Sequence, residues 1–519
     1  MKVYIKLIST KLLLMLICIV ALNLSSCKKW LELQPEDGLI EQDYWRTKEQ
    51  LKAAVMGCYA SMLDGSSMPL TKYLFMWGEL RADMVKTGFS IDDEDLTGLS
   101  SLTRDQLAII RTEIDSRNSI TNWEAVYRTI SFCNDVIKNA ALVMNTDKTL
   151  SRVQMNEYLA EAYGLRGLMY FYLLRTFGEV PLKLQPTNAD KDIVPLRKSS
   201  QSEIADQIIS DLKFAADHAP VSYPTMAEDR GRINKYAAYT ILADVYLWTE
   251  RYQECLDACR EVIESGRYRL LPKGTLQPVW ALNVYGTGNS IESVFEINFS
   301  IEKRNPFWNM FARAAKEFQA NDWVVEGELY GVDLVDPNNR DVRGSGTSYN
   351  EATGNISKFT LGVTEATSIN NWIVYKYADV LLMQAEALTF LENGNADNGS
   401  AALDIVINLR GHRNALSQTT AGLVEIPNPD ETKKIGDLIL GERARECAFE
   451  GKRWYDILRF AKRNNYENID MLISIASANA LPSKQQIVIN KYKDYRSHYL
   501  PIYYTELQSN KLLTQNPFY

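Results

Sequence analysis

Apolar residues recur at helical spacing along most of the chain, and this periodicity is the strongest structural signal in the sequence. Residues 30–63 predict a proline-containing entry and then an amphipathic helix that ends near Met62. The polar, glycine-containing stretch 86–105 is predicted to be a loop. Four further windows have the pattern of helices in helical hairpins: residues 122–143, 157–182, 235–268 and 375–395. The second of these is apolar almost all round, which predicts an interior helix that stops at Gly178.

The window 235–268 matches a tetratricopeptide repeat most clearly. Its first helix carries the apolar positions of such a repeat, namely Tyr239, Leu242, Ala243 and Tyr246. Cys255 then falls on the small-residue position of the second helix, and Cys259 falls on the next buried position. Because repeats of this kind cannot bury their apolar faces alone, the helical regions 122–268 and 373–460 are predicted to stack into one superhelical body.

Residues 269–372 follow a different pattern and are rich in Gly, Asn, Pro and aromatic residues. ESVFEINFS, residues 292–300, alternates between apolar and polar positions as a half-buried strand does. The remainder is typical of long loops with short elements. Loops held by a rigid scaffold often carry the binding residues of a protein, so this segment is predicted to bind the ligand.

The composition is ordinary for a folded soluble protein, with 46% hydrophobic and 24% charged residues among 519. The net charge of −8 argues against a nucleic-acid partner, which requires a concentrated basic face. The aromatic content is unusual, at 10 Trp, 28 Tyr and 16 Phe. Most of these rings belong in a core, but so many leave some for a binding surface.

The N-terminus has the organisation of a secretory signal. Lys2, Lys6 and Lys11 form a positive region, and the apolar residues 12–24 are too few to cross a bilayer, which takes about 20 residues. The apolar run ends in Leu-Ser-Ser before Cys27, which resembles a bacterial lipobox. Cys27 is therefore predicted to be the acylated first residue of the mature protein, with enough acyl chains for stable membrane anchoring.

Three glutamates recur four residues apart in ERARECAFEGKRWYDILRF, residues 442–460. On one helix, Glu442, Glu446 and Glu450 would share a face, a placement that invites a di-metal interpretation. Di-iron helical bundles need Glu-x-x-His pairs, and none of the three histidines lies nearby. The favoured interpretation is a structural ion network in which nearby arginines neutralise the carboxylates, namely Arg443, Arg445, Arg453 and Arg459.

Other metal and catalytic signals are weak. Cys255 and Cys259 lack a second pair or a nearby histidine that would complete a metal site. The acidic stretches 92–95 and 336–341 do not follow the calcium-loop pattern, so solvated acidic loops are favoured, with calcium as the alternative. The sequence contains no phosphate-binding loop, dinucleotide fingerprint, G-x-S-x-G or HExxH motif. We therefore predict no cofactor and no enzymatic activity.

Six aromatic residues fall in segments that we predict as loops or element edges. They are Trp77, Trp280, Tyr285, Trp308, Trp323 and Tyr330. Flat rings suit the apolar faces of sugar rings, and amides or carboxylates beside them can bind the hydroxyl groups. A single ring is more often an ordinary packing residue, so the set as a whole predicts a carbohydrate-binding site.

Several of these segments together resemble the SusD/RagB family of Bacteroidetes outer-membrane nutrient-binding lipoproteins. The similarity runs from the lipobox to the last residue. It is carried by EAYGLRGLMYFYLLRTFGEVPL, GRINKYAAYTILADVYL, YKYADVLLMQAEAL, ERARECAFEGKRWYDILRF and the closing YLPIYYTELQSNKLLTQNPFY. The order and spacing of these motifs are specific to the family, although no single motif is.

The resemblance implies an all-α fold in which tetratricopeptide-like helical hairpins pack against an irregular, loop-rich half with a few short β-strands. It implies a lipoprotein signal peptide at 1–26 and one SusD-like domain at 27–519, with the ligand-binding insert at 269–372. It also implies a function. The protein would be lipid-anchored in the outer membrane, facing the cell surface, and would bind oligosaccharide or polysaccharide for a SusC-like TonB-dependent transporter.

Three other functions stay open at the level of sequence. The protein could bind peptides as a RagB-like relative does, or act as a scaffold of an envelope complex without a ligand. An anchored glycoside hydrolase is the third, and it would need two carboxylates facing each other across a cleft. No motif supports the hydrolase.

Overall fold

The computed structural model describes residues 44–65, 68–89, 96–188, 192–286, 288–327, 329–336 and 338–519. The predicted signal peptide 1–26, the predicted lipidation of Cys27 and the acidic stretch 92–95 lie outside these residues. The residues Thr47–Tyr519 form one compact unit, to which the helices and strands given below belong. Across the described part of the chain, no helix combines the length and apolar character that spanning a bilayer requires.

Helices dominate this unit, and short strands pair in twos. The helices are α1 (Lys48–Ser61), α2 (Leu70–Glu79), α3 (Ser101–Ile110), α4 (Glu124–Thr146), α5 (Arg152–Phe177), α6 (Gln201–His218), α7 (Met226–Gly231), α8 (Lys235–Trp248), α9 (Tyr252–Glu264), α10 (Gln277–Ala281), α11 (Asp322–Val325), α12 (Tyr377–Phe390), α13 (Ala396–His412), α14 (Thr432–Glu446), α15 (Arg453–Tyr466), α16 (Ile469–Ala478), α17 (Gln485–Tyr492) and α18 (Tyr504–Ser509). The antiparallel strand pairs are β1 (Val85–Thr87) with β3 (Phe318–Ala320), β2 (Ser293–Ile297) with β4 (Trp372–Lys376), and β5 (Gln418–Thr419) with β6 (Gly422–Leu423). The predicted fold class is confirmed.

Consecutive helices pack on one another in the order that the hairpin windows predict. The window 235–268 is a hairpin of α8 and α9, which contact each other after a turn at Glu250 with φ of 58°. Cys255 and Cys259 on α9 are buried free thiols, as their repeat positions predict. The window 122–143 is part of the single helix α4, which packs against α5 as its neighbour.

The helix α5 is the interior helix that the sequence predicts. The Ser151 side chain caps its start by accepting a hydrogen bond from the Gln154 N–H, and nearly every residue beyond Tyr158 is buried. Gly178 ends it with φ of 74°. A β-carbon at this position would lie 3.2 Å from the ring of Tyr499, so both the backbone conformation and the packing require glycine.

The insert 269–372 is irregular, and its strands differ from the predicted alternation. All five residues of β2 and all five of β4 are buried, so a half-buried strand at 292–300 is wrong in pattern although the strand itself exists. Both α7 and α8 pack against β2, and these helices cover the β2–β4 strand pair. Glu296 within β2 is buried and accepts hydrogen bonds from the Ser293 hydroxyl and, at 2.8 Å, from the Asn371 amide.

An aromatic cluster joins the insert to α2. The ring of Phe75 lies 5.2 Å from Phe311 and 6.2 Å from Phe318, measured between centroids. This contact places β3 beside α2 and lets it pair with β1. As a result, residues 86–105 are not one loop, because β1 ends within them and α3 begins there at Ser101.

Candidate functional site

The three glutamates at four-residue spacing are all buried, but they do not share one helix face. The helix α14 ends at Glu446, and Glu450 lies in the turn before α15. Each glutamate has a buried cation within hydrogen-bonding distance. The partners are Arg343 for Glu442 at 2.7 Å, Arg413 for Glu446 at 3.0 Å, and Lys376 for Glu450 at 2.7 Å.

The predicted structural ion network is confirmed, although its main cations come from elsewhere in the chain. Arg343 belongs to the insert and Lys376 to β4, so the network ties the insert to α14. Of the neighbouring arginines, only Arg445 approaches one of the three glutamates, at 3.5 Å from Glu442, among the ion pairs of the described residues. The others pair elsewhere: Arg443 with Asp456, Arg453 with Asp83, and Arg459 with Glu386.

Burial and ion pairing oppose each other at these carboxylates. Burial raises the pKa of Glu446, but Arg413, Lys376 and Arg343 outweigh burial and hold the pKa well below its ordinary value. At Glu442, burial raises the pKa and Arg343 lowers it. The combined effect of burial and the neighbouring cations is a lowered pKa. Both groups are therefore ionised partners of fixed cations, and neither has the raised pKa that a general acid needs.

Asp379, Cys447 and Glu450 each place a possible metal-ligand atom within 4.8 Å of the others. Two ammonium groups already occupy this cluster. Lys452 Nζ lies 2.8 Å from Asp379, and Lys376 Nζ lies 2.7 Å from Glu450. The Cys447 thiol donates to Asp379 at 3.2 Å, and burial raises its pKa, so it does not supply a thiolate. The donor set fits an ion-pair network better than a metal centre.

Trp77 lies inside α2 and is fully buried, so its predicted position at a loop or element edge is wrong. Its indole N–H donates to the Ile120 carbonyl at 2.7 Å. Its ring meets the ring of Phe177 edge-on at 5.1 Å. Helix α2 is buried at every position, so Trp77 contributes to the core and has no face for a ligand.

Three other predicted aromatics form walls of the buried ion network. Trp280 donates to Glu292 at 3.3 Å, and the guanidinium of Arg413 lies over its ring at 4.8 Å. The Tyr285 hydroxyl donates a hydrogen bond to the Glu450 carboxylate at 2.8 Å. The Tyr330 hydroxyl donates one to the Arg445 carbonyl at 2.9 Å. All three side chains are buried, and Tyr330 also lines a small cavity of 130 Å³.

Trp308 and Trp323 retain exposed surface, and both adjoin β3. Trp308 lies in the short helical turn 308–312 before the strand, and Trp323 lies in α11 after it. The indole N–H of Trp323 donates to the Asp83 carbonyl at 2.6 Å, which fixes the orientation of the ring. Of the six predicted aromatics, these two are therefore the ones that keep partial exposure, on either side of β3 along the chain.

A cleft of 490 Å³ opens beside the β1–β3 pair, and we call it the β3 cleft. Its lining includes Lys86, Thr87, Phe89, Arg111, Gln319 and Asn479. Lys86 and Gln319 are direct partners across the two strands, and their buried neighbours Val85 and Phe318 fix the side that faces the cleft. Lys86 also forms an ion pair with Asp322, which ties the cleft wall to α11 and Trp323.

The β3 cleft combines apolar and hydrogen-bonding groups with two cations, Lys86 and Arg111, and Lys86 is ion-paired with Asp322. Phe89, Leu107 and Ile110 supply apolar surface, and amide, hydroxyl and cationic groups stand among them. Asn479 is held by a hydrogen bond from its amide to the Ala82 carbonyl at 2.7 Å. Such a mixture, on short elements attached to a rigid core, is suited to a polyhydroxylated ligand with apolar faces.

The sequence analysis missed the polar residues of this cleft. They come from β1, α3, β3 and the segment after α16, which are brought together only by the pairing of β1 with β3. The available signal in the sequence was small: Phe318, Gln319 and Ala320 alternate as apolar, polar and apolar residues. Three residues are too few to identify as a strand without its partner.

Two family models match the chain over separate stretches. One, described as SusD family, matches residues 287–519. The other, described as starch-binding associating with outer membrane, matches residues 72–247. Between them they cover most of the insert and both sides of the β3 cleft, and they leave residues 248–286 unmatched.

Individual proteins are similar over nearly the full length. SusD-like protein P2 of Formosa agariphila is 26% identical over 541 aligned residues, covering 96% of this chain and 98% of that protein. SusD-like protein P38 of the same organism is 24% identical, covering 85% and 89%. A solved SusD superfamily protein of Bacteroides vulgatus has a TM-score of 0.71 at 21% identity over 92% of this chain and 100% of its own. A solved protein described as laminarin binding SusD-like protein has a TM-score of 0.65 at 19% identity, over 91% and 100%.

Proposed function

The chain belongs to the SusD family, and from this premise we propose that it is a lipid-anchored outer-membrane protein that captures a glycan and delivers it to a SusC-like TonB-dependent transporter. The family consists of glycan-binding outer-membrane proteins rather than enzymes. The observation that carries the proposal is the β3 cleft with Trp308 and Trp323 beside it, on a scaffold of this family.

We propose the cell surface as the location, with the anchor at Cys27 after removal of residues 1–26. The lipobox-like Leu-Ser-Ser-Cys supports this anchor. In the proposed domain layout, the helical regions 122–268 and 373–460 form the scaffold, and the insert 269–372 supplies β3, Trp308 and Trp323. The β3 cleft also draws on β1 and on Asn479, so the proposed binding half extends beyond the insert.

The chemistry of the β3 cleft supports a glycan as the ligand, because the amide of Gln319 together with Lys86 can bind hydroxyl groups. Trp323 is outside the lining, next to Asp322, the ion-pair partner of Lys86, and its partly exposed indole offers a flat apolar face for an extended ligand. The described lining residues include no carboxylate, so they do not provide the facing pair on which glycoside hydrolysis depends. Starch and laminarin are the first glycans to test, because they are named for the matching model and for one structural neighbour.

Isothermal titration of the purified protein with starch and laminarin oligosaccharides, beside a panel of short peptides, tests this proposal. Saturable binding of a glycan that Trp323→Ala abolishes or strongly weakens supports it. Binding to peptides alone would favour a peptide importer. Release of reducing sugar by the purified protein would contradict the assignment as a binding protein. Co-purification with a TonB-dependent transporter is a separate test of the proposed partner.

A further inference from the structure

A second and larger cleft lies away from the β3 cleft, between α4, residues 181–187 and 193–196, and α18. We call it the α4 cleft, and its volume is 680 Å³, which is within the range of pockets that hold small molecules. The two clefts share no lining residue. A ligand of the α4 cleft would therefore be bound independently of the proposed glycan site.

The apolar part of the α4 cleft is largely aliphatic. Ile130 lies on the α4 side, and Leu513 follows α18 on the opposite side. At the mouth, Ile193 and Val194 are 64% and 62% exposed. The lining also includes the rings of Trp123 and Tyr127, but Trp123 is only 2% exposed, whereas the two neighbouring β-branched residues face water and favour a ligand with a hydrocarbon body.

Two cations line the same cleft. The Arg128 Nε–H is buried and has no hydrogen-bond acceptor among the described residues, while its Nη2 donates to the Ser61 carbonyl at 3.3 Å. Lys183 stands on the facing segment, and burial lowers the pKa of its ammonium group. Both side chains line the cleft, so an arginine and a lysine supply positive charge to the same apolar cleft, and charge-assisted hydrogen bonds to an anionic ligand group are the strong kind.

The acidic residues of the cleft are accounted for. The Glu506 carboxylate accepts a hydrogen bond from the Trp123 side chain, and burial raises the pKa of Glu506. Glu124 is exposed in the first turn of α4. Neither is hydrogen-bonded to Arg128 or Lys183 in the described residues. Lys183 donates to the Thr187 hydroxyl and is influenced by Asp192, which is not in the lining, so Arg128 is the main cation for a ligand anion and Lys183 contributes its remaining donors.

We propose that the α4 cleft binds an aliphatic carboxylate, with the hydrocarbon body against Ile130, Val194 and Leu513 and the carboxylate at Arg128 and Lys183. This chemistry is shared by a fatty acid and by the C-terminal residue of a peptide that ends in leucine or a similar side chain. No bond is made or broken in the proposed event.

The experiment is isothermal titration of the intact protein with four probes. They are octanoate, octanamide, N-acetyl-leucyl-leucine and the C-terminal amide of that dipeptide. We expect at least one carboxylate to bind and its amide to bind about tenfold more weakly, because the amide lacks the charge that Arg128 and Lys183 recognise. Octanoate and the dipeptide acid distinguish a fatty acid from a peptide terminus as the source.

Two variants locate the site. Arg128→Gln should weaken binding of the carboxylate by about tenfold. Val194→Asp should weaken it similarly through charge repulsion, and its exposed position leaves the fold intact. Arg152→Gln, a change at an exposed arginine at the start of α5, is the matched control and should have no effect.

Equal affinity for acids and amides, no binding of either acid, or unchanged affinity in both variants would overturn the proposal. The same variants titrated with laminarin or starch oligosaccharides separate the two sites. Loss of glycan binding in Arg128→Gln would place the sugar in the α4 cleft and would also overturn it. If glycan binding depends on Trp323 and not on Arg128, the glycan site and the carboxylate site are distinct, and each proposal is then judged by its own titrations.

Discussion

Arg343 of the insert and Glu442 of α14 are joined by a hydrogen bond of 2.7 Å, and neither side chain is exposed to solvent. Arg343 also contacts Asp341 and Glu446, so a single guanidinium is shared among three carboxylates. Removing one partner of such a pair leaves an uncompensated buried charge, which costs far more than an exposed pair contributes. The position of the insert on the helical half therefore depends on a fully satisfied network.

The Glu442→Ala variant should lower the free energy of unfolding by about 3–5 kcal/mol, because Arg343 and Arg410 lose a buried partner. Urea unfolding followed by circular dichroism measures this. Glu431→Ala, which removes the exposed partner of Lys434 next to the same helix, is the control and should change stability much less. Equal effects of the two substitutions would contradict the importance of the network.

The Glu79→Gln variant should remove a pH-dependent loss of stability. Burial, and then the nearby Asp83, raise the pKa of Glu79 to about 8, against the opposing effect of Arg453. Between the ordinary pKa of 4.5 and about pH 8, Glu79 is protonated in the folded state but ionised in the unfolded state. Glu79 therefore destabilises the fold increasingly as pH rises through this window. Glutamine keeps an acceptor for the Gly451 N–H, which donates to Glu79 at 3.1 Å.

Thermal unfolding of both proteins at pH 5 and pH 8 tests this expectation. The variant should match the parent at pH 5 and exceed its melting temperature at pH 8. An identical dependence on pH in the two proteins would show that Glu79 does not titrate in this range.

The Trp323→Ala variant should weaken glycan binding by about tenfold, a typical cost of truncating a central aromatic residue at a binding surface. Trp323→Phe, which retains a ring, should retain part of the affinity. Phe132→Ala removes an aromatic that is 43% exposed on α4, and it should leave the affinity unchanged. Isothermal titration with the best glycan from the panel measures all three. Unchanged affinity in Trp323→Ala would remove this residue from the proposed site.

The Trp280→Ala variant should lower stability by about 3–5 kcal/mol without a specific effect on glycan affinity. The reason is its full burial against Arg413 and Glu292, where truncation leaves a cavity and a polar group without its donor. Urea unfolding and titration below the unfolding transition give the two readouts. A loss of glycan affinity without a loss of stability would instead show that Trp280 contributes to glycan binding.

The Gly178→Ala variant should destabilise the protein more than Gly266→Ala does. Both glycines have positive φ, at 74° and 63°, so both substitutions strain the backbone. Only at Gly178 would the new β-carbon also meet a side chain, the ring of Tyr499, whereas nothing lies within 4 Å at Gly266. Comparison of the two melting temperatures isolates the packing contribution. Equal shifts would indicate that backbone strain alone requires glycine at the end of α5.

The sequence predicts helical structure well here because helical hydrogen bonds join residues four positions apart and the apolar period is visible in one window. The interior helix α5, its end at Gly178 and the hairpin of α8 and α9 all follow from such local patterns. The family resemblance, which the family matches confirm, also rests on motifs that can be identified along the chain.

The sequence pattern around the predicted aromatic residues did not reveal which of their side chains are exposed. Trp280, Tyr285 and Tyr330 lie in loop-rich segments of the insert, as Trp308 and Trp323 do, yet the first three are buried. Their burial depends on what packs against them, for example on Arg413 for Trp280 and on Lys358 for Tyr285. Partners of this kind are distant in sequence, so no window contains both members of the contact.

By itself the sequence predicted the main helical hairpins, the resemblance to the family and an anchor at Cys27 that stays a prediction, because each is encoded in neighbouring residues. The tertiary structure alone decided which glutamates pair with which cations, which aromatic rings stay exposed, and where clefts open. Arg343 and Glu442 are 99 residues apart, and the β3 cleft forms because Val85 pairs with Ala320. Such contacts arise when distant segments bury their apolar surfaces together, and the site is a consequence of that packing.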